Sequence, residues 1–238
     1  MELKYKRILL KLSGEALAGE KKIGLDYTVI RPICESIKKC ADIGVQVGIV
    51  VGGGNFIRGR MSEGFDRTRA DYMGMLATTI NAMAIADMLE SLGVEVRVQT
   101  AITMQQVAEP YIRNKALSHL NKGRVVIFGC GTGNPYFSTD TAAALRGIEI
   151  KAEILLKATL VDGVYDKDPH QFEDAKRYNT LTFTQVLNQE LAVMDMAAAT
   201  MCKDYQLPML VFDLSRPDNI LDAVLGKSVG TVITEETC

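Results

Sequence analysis

A lysine inside an apolar strand is costly, and this chain places two of them in similar settings. Lys11 interrupts Arg7–Leu12 (Arg-Ile-Leu-Leu-Lys-Leu), a run that reads as a buried strand closed by Ser13-Gly14. Lys157 follows residues 152–156, which read as a strand. Such a lysine either snorkels from a sheet edge or points its ammonium at phosphate oxygens, and pattern alone leaves both open. Two glycine-rich turns also follow buried runs. Residues 45–51 lead into Gly52-Gly53-Gly54-Asn55-Phe56-Ile57-Arg58-Gly59, where Arg58 is a planar cationic fork suited to phosphate. Residues 125–128 lead into a stretch with Gly129, Gly131 and Gly133, then Asn134-Pro135 and an Ala-rich helix for which Ser138, Thr139 and Asp140 stand at the N-cap. A strand, a glycine turn and a helix N-terminus present unpaired N–H groups and a positive dipole end, which suit a phosphate. An ordinary loop is the competing reading; three alternating glycines before Asn-Pro argue against it. With the carboxylates Asp140 and Asp195, these residues suit phosphoryl transfer, which needs charge neutralisation and positioning more than covalent chemistry.

Other chemistries fit poorly. The P-loop pattern, the protein-kinase motifs and the dinucleotide fingerprint are absent. With His119 and His170 as the only histidines, a Ser-His-Asp arrangement is implausible, and no zinc-ligand cluster or other metal site is expected. A net charge of −2 gives no footprint for nucleic acid, so any anion site must be local. Five cysteines, an odd count without paired metal-ligand spacing, read as reduced thiols in a cytoplasm. No signal peptide or spanning segment is expected, so the default address is cytoplasmic.

The elements that must position these groups alternate between strand and helix. Asp26 is placed to cap a helix carrying Ile30, Ile33, Cys34, Ile37 and Cys40 at helical spacing, with Pro32 near its start and Gly44 at its end. Residues 70–92 read as one long helix, apolar nearly all round, that is either core or a subunit contact. Asp71 stands at its first turn, favoured there by the dipole or facing a ligand. Residues 94–98 read as a strand and 104–120 as broadly helical with a break at Pro110. Asp162-Gly163 signals a turn, possibly of a hairpin. Thr182 with Gln185 forms a capping-box pattern, and Asp195 is placed to cap a helix reaching Tyr205. Residues 207–212 and 231–234 read as strands, with a helix over 218–225. The order implies a parallel sheet with right-handed crossovers. One domain over 1–238 is expected, with a soft division near 148–151.

Several runs together carry a family resemblance. Lys11-Leu12-Ser13-Gly14-Glu15-Ala16-Leu17, the turn 52–59, Asp71-Tyr72-Met73-Gly74-Met75-Leu76-Ala77-Thr78, residues 131–140 and Lys157-Ala158-Thr159-Leu160-Val161-Asp162-Gly163-Val164-Tyr165 closely resemble the bacterial uridylate (UMP) kinases. The likeness runs from about residue 6 to 235. It implies the amino-acid-kinase fold, a three-layer α/β/α sandwich around a central mostly parallel sheet. It implies reversible transfer of the ATP γ-phosphoryl group to UMP in pyrimidine nucleotide biosynthesis, with Mg2+ carried by ATP. By the same resemblance Lys11, Leu12, Ser13, Gly14, Gly54 and Arg58 contact ATP phosphates, and Thr159, Tyr165 and Asp168 hold the adenosine side. Gly53, Asp71, Thr132, Gly133, Asn134, Pro135, Tyr136, Phe137, Ser138 and Thr139 form the UMP site. Lys11 and Lys157 stabilise the transferring group, while Asp140 and Asp195 orient those lysines and the magnesium shell. Residues 1–150 then serve the acceptor and interface side and 151–238 the ATP side. The family further implies a homohexamer with its contact on helix 70–92, inhibition by UTP and activation by GTP in many members. Gly19, Glu20, Lys21, Lys22, Ile23 and Gly24, with Arg97 and Arg124, are the effector candidates. Ala86 and Glu90 stand where some GTP-responsive members carry arginine and histidine, which leaves GTP activation open. A carboxylate or carbamate kinase of this fold lacks the Thr-Gly-Asn-Pro run as an acceptor site. A non-catalytic nucleotide-binding or metal-storage assembly would have no need of both lysines with Asp140.

Overall fold

The structure, a computed structural model, describes residues 3–57, 64, 66–169 and 171–235. Among them nine strands form one sheet: β1 (Arg7–Leu12), β2 (Gln46–Val51), β3 (Val96–Thr100), β4 (Glu109–Pro110), β5 (Val125–Gly129), β6 (Ile154–Thr159), β7 (Thr180–Leu181), β8 (Met209–Asp213) and β9 (Gly230–Ile233). Their order across the sheet is β4-β3-β5-β2-β1-β6-β8-β9-β7. All neighbouring pairs are parallel except β8 with β9. From β1 the chain builds outward through β2 to the far edge, then returns and crosses to the other side of β1 with β6. The two directions part at β1, and in open α/β sheets ligands bind outside the strand carboxyl ends at such a point.

The helices cover both faces, giving the expected three layers. α1 (Tyr27–Asp42), α2 (Arg67–Ser91) and α7 (Asn219–Val224) pack on one face; α3 (Arg113–Asn121), α4 (Thr139–Glu149), α5 (Phe183–Asn188) and α6 (Met196–Asp204) pack on the other. Side chains alternate along a strand, so one face of β1 is Ile8, Leu10 and Leu12 and the other is Arg7, Leu9 and Lys11. Lys11 shares the Leu9 face, and Lys157 shares that of Leu155, which packs with α4 to α6. Alternation alone thus turns both ammonium groups toward α4. Since Lys11 and Lys157 are also register partners on adjacent strands, they stand side by side.

The caps form where the sequence puts them. Asp26 accepts from Thr28 N at 3.0 Å, Thr182 and Gln185 close a capping box, and Asp195 accepts from Ala198 N at 3.0 Å. Four expectations need correction. β6 reaches Thr159, so Lys157 lies within the strand rather than after it. Residues 104–108 are not helical, because Pro110, without an N–H, takes an edge strand and α3 begins only at Arg113. The long helix begins at Arg67 on the Asp66 cap, which puts Asp71 beyond the first turn. Asp162-Gly163 does not close a hairpin: the antiparallel bridge joins Tyr165 to Arg177, and Asp166 N donates to Lys176 O at 3.1 Å. Gly163 serves a close approach, since a Cβ there would sit 2.6 Å from Thr231 Oγ1. α2 proves two-faced: Met75, Ile85, Met88 and Leu89 are buried, while Tyr72, Met73, Leu76, Ile80 and Met83 are exposed along one stripe. No helix among the described residues is long and apolar enough to cross a membrane.

Cys34, Cys40, Cys130 and Cys202 are free and buried, and burial pushes the thiols of Cys34, Cys40 and Cys202 up to about 12. A maleimide added to the native protein at about pH 8 is therefore expected to leave all four unlabelled until denaturant is added. Peptide mass spectrometry showing a label on any of them in the native protein would contradict this packing.

Candidate active site

α4 starts at the carboxyl edge of the sheet, where Ser138 caps it by accepting from Asp140 N at 3.0 Å and Thr141 N at 3.1 Å. Its first turn carries Asp140 over the two lysines. Lys11 Nζ lies 3.0 Å from Asp140 Oδ1, and Lys157 Nζ donates to Asp140 Oδ2 at 2.5 Å. Lys157 Nζ also donates to the carbonyl of Val193. Burial opposes ionisation of Asp140, but the charges of Lys11 and Lys157 outweigh it and hold the carboxyl below its ordinary 3.8. Burial, helped by the positive charge of Lys11, pushes the Lys157 ammonium below its ordinary 10.5 against the attraction of Asp140. An ammonium has three donors, so Lys157 keeps one and Lys11 two beyond the bonds described.

Asp195 acts differently from expectation. Its hydrogen bonds go to Ser138 Oγ, to Thr141 Oγ1 at 3.1 Å and to Ala198 N, and it reaches Lys157 only through its charge. One carboxylate thereby caps α6 and ties that cap to the cap of α4.

Two cavities flank this centre. The first, about 240 Å³, is lined by Gly53, Gly54, Asp71, Thr132, Asn134, Phe137, Ser138 and Thr139 of the expected residues, together with Arg67, Thr78 and Gly131. Gly133, Pro135 and Tyr136 lie in the strap beside it and do not line it. The second, about 450 Å³, is lined by Thr159, Tyr165 and Asp168 and by the loop 189–193. Asp140, Lys157, Ser138 and Asp195 line a further opening with Val193, which the second cavity shares. Gly54, expected on the donor side, thus faces the first cavity. Leu12 is fully buried and its carbonyl accepts from Gly52 N at 2.9 Å, so the structure gives it no face toward either cavity. Arg58 and His170 lie outside the described residues. Among the described residues no cluster of three or more His, Cys, Asp or Glu could hold a metal ion.

The glycines in the turn 52–54 have steric reasons. A Cβ on Gly53 would meet Gly74 O at 2.7 Å and Ala77 Cβ at 2.9 Å. The strap 130–137 carries backbone strain, with Cys130 at φ 63° and Tyr136 at φ 72°. Each is held by a side chain on α2: Cys130 N donates to Thr78 Oγ1 at 2.7 Å, and Tyr136 N donates to Asp71 Oδ2 at 2.8 Å. Arg67 holds Asp71 in turn at 2.9 Å and lies over the Tyr136 ring at 5.5 Å. Asp71 thus meets the strap rather than the helix dipole.

Arg67, Thr78, Asn55 and Asn81 escape a reading of the sequence, because each has a partner distant along the chain, which for Arg67 is the Tyr136 ring. Asn55 and Asn81 are buried and exchange amide hydrogen bonds at 2.9 and 2.7 Å. Asn81 also donates to Gly52 O at 2.6 Å and Asn55 to Gly24 O at 2.7 Å, so the glycine turn and the end of the 19–24 segment share one support. That segment begins in a 3-10 turn over Glu15–Lys21, with Gly19 and Lys22 at positive φ and Ile23 exposed. Arg97 and Arg124 sit at the amino ends of β3 and β5, opposite the cavities, where Arg97 lies 3.8 Å from Glu109 and Arg124 pairs with Glu95 at 2.8 Å.

Residues 6–213 match the amino acid kinase family. Solved structures extend the likeness over nearly the whole chain. UMP kinase from Bacillus anthracis superposes with a TM-score of 0.95 at 41% identity, covering 98% of this chain and 97% of that one. UMP kinase from Ureaplasma parvum gives 0.92 at 36%, covering 97% and 99%. Uridylate kinase from Archaeoglobus fulgidus gives 0.72 at 32%, covering 95% and 99%.

Asp140→Asn would leave two neighbouring ammonium groups without their carboxylate, an expected loss of about 3 kcal/mol in unfolding free energy at neutral pH. The carboxyl titrates lower folded than unfolded, so its contribution is complete above the unfolded value and fades as pH falls through the folded one. The gap between parent and variant in urea unfolding should stay level from about pH 7 to about pH 5 and close below about pH 4. A gap that closes as pH rises toward 7 would refute the ion pair.

Proposed function

Since the chain belongs to the amino acid kinase family, we propose that it is a UMP kinase, transferring the γ-phosphoryl group of ATP to UMP to give UDP and ADP, reversibly, in pyrimidine nucleotide biosynthesis. One observation carries the reading: two ammonium groups, held by one ionised carboxylate, flanked by two cavities. ATP enters with its magnesium as part of the substrate, and the ion neutralises phosphate charge. The adenosine side occupies the cleft of Thr159, Tyr165 and Asp168. The donor phosphates reach toward residues 11–14 and Gly54, with Arg58 as a further phosphate ligand. UMP occupies the cavity of Gly53, Asp71 and the strap 132–139, its phosphate at the N-terminus of α4. The lining supports this division, for the first cavity draws only on residues before 150 and the second only on residues after 151.

The acceptor brings its own nucleophile, a phosphate oxygen largely ionised at neutral pH because its second pKa is about 6. No general base is needed, and His119 is engaged with Glu109 at 3.1 Å instead. The difficulty is repulsion between two polyanions as they meet. The unused donors of Lys11 and Lys157 answer it, fixed in advance by Asp140 and the Val193 carbonyl. Asp195 keeps the caps of α4 and α6 together around that centre, and it lines one opening with Asp140, where the two carboxylates would meet the magnesium that ATP carries.

The exposed stripe on α2 supports a subunit contact through that helix, and the assembly in this reading is a homohexamer. UTP is a feedback inhibitor in this reading. GTP would act through residues 19–24, Arg97 and Arg124, and rates with and without GTP decide whether it does. The address is cytoplasmic.

Lys11→Ala and Lys157→Ala should each lower turnover at least about a hundredfold while the KM for UMP moves only a few-fold. A coupled assay with ATP, magnesium and UMP, CMP or glutamate-type acceptors measures this, and parental turnover in either variant would remove the lysines from the mechanism. Ile80→Asp should break the assembly in sedimentation; unchanged mass would take α2 out of the interface.

A further inference from the structure

A buried arginine remains that the reaction does not use. Arg146 lies near the C-terminal end of α4 with its side chain 5% exposed. A buried guanidinium is unfavourable unless paired and hydrogen-bonded. Nη1 donates to Glu149 Oε2 at 2.6 Å, and the guanidinium carbon lies 3.8 Å from the centre of the Tyr111 ring. Tyr111 donates its hydroxyl to the same Glu149 oxygen at 2.6 Å and packs edge-on against Phe128. Nη2 reaches back to the carbonyl of Gly131 at 3.3 Å.

Gly131, at φ 56°, opens the strap that lines the first cavity. Its peptide link to Thr132 is trans, so a carbonyl directed at Arg146 turns the Thr132 N–H the opposite way. That N–H has no protein acceptor among the described residues, and Thr132 lines the cavity. One helix therefore holds both ends of the strap: the N-cap at Ser138, and Arg146 at Gly131.

We infer that Arg146 is a positioning residue for the acceptor nucleotide, holding the 131–132 peptide so that the Thr132 N–H stays available to UMP. Tyr111 and Glu149 keep the guanidinium in plane for that task. The inference rests on the proposed UMP-kinase activity and adds to it a residue that never touches substrate.

The test is a triple variant, Tyr111→Phe, Arg146→Met and Glu149→Met, which replaces the buried arginine and its half-buried carboxylate partner with apolar groups of similar size and keeps the core filled. UMP and ATP kinetics, with calorimetric UMP binding, are compared with the parent. The expected result is a rise of about tenfold or more in the KM and Kd for UMP, with the KM for ATP and kcat within about twofold. Should the triple variant fail to fold, Arg146→Lys carries the test, since it keeps a charge for Glu149 but lacks the second planar nitrogen; the same split is expected. Unchanged UMP affinity in a folded variant, or equal weakening of both nucleotides, would overturn the inference and leave the parent's activity standing. A parent that makes no UDP would overturn the function and the inference with it.

Discussion

One carboxylate between two ammonium groups is the constraint on which the rest of this structure depends. Three charges in a half-buried space tolerate little displacement, because electrostatic energies rise as water is excluded. Asp140 must be ionised to hold Lys11 and Lys157, and their charges in turn keep it ionised against burial. The arrangement also sets Lys157 in tension: burial disfavours its ammonium, and the carboxylate retains it. A cation held this way has donors fixed before any ligand arrives, which is the condition for stabilising charge without reorganisation.

The fold supplies that constraint with few parts. Parallel pairing puts Lys11 beside Lys157, and strand alternation turns both to the face covered by α4. α4 then brings Asp140 on its first turn, where a carboxylate is already favoured by the dipole. Asp195 binds the start of α4 to the start of α6, so the loop that gives Lys157 the Val193 carbonyl is fixed to the same point. Two helix N-termini, two central strands and one loop converge where the strand order reverses.

The strap beside this centre is strained at two non-glycine positions. Cys130 and Tyr136 occupy a backbone region unfavourable for side chains, and α2 holds both through Thr78 and Asp71. The helix whose exposed stripe suits subunit contact thus also governs the shape of the acceptor cavity. Its buried Asn81 reaches the other glycine turn, so both phosphate-suited turns share one support.

The sequence determined the elements and their chemistry because both are written locally. Buried runs, glycine punctuation, the caps at Asp26, Thr182 and Asp195, and lysines in apolar strands are legible within a few residues. Local pattern misjudged residues 104–108 and the Asp162-Gly163 turn, where edge pairing and close packing decided the outcome, and it missed the Asp66 cap that starts α2. Only the tertiary structure decided that Lys11 and Lys157 share one carboxylate, that Asp195 bonds to Ser138 rather than to a lysine, and that Arg67, Thr78, Asn81 and Arg146 support the cavities. Spacing along a chain carries periodicity and turn preference. Pairing between strands and the facing of helices bring together residues dozens to more than a hundred positions apart, and no local window contains them.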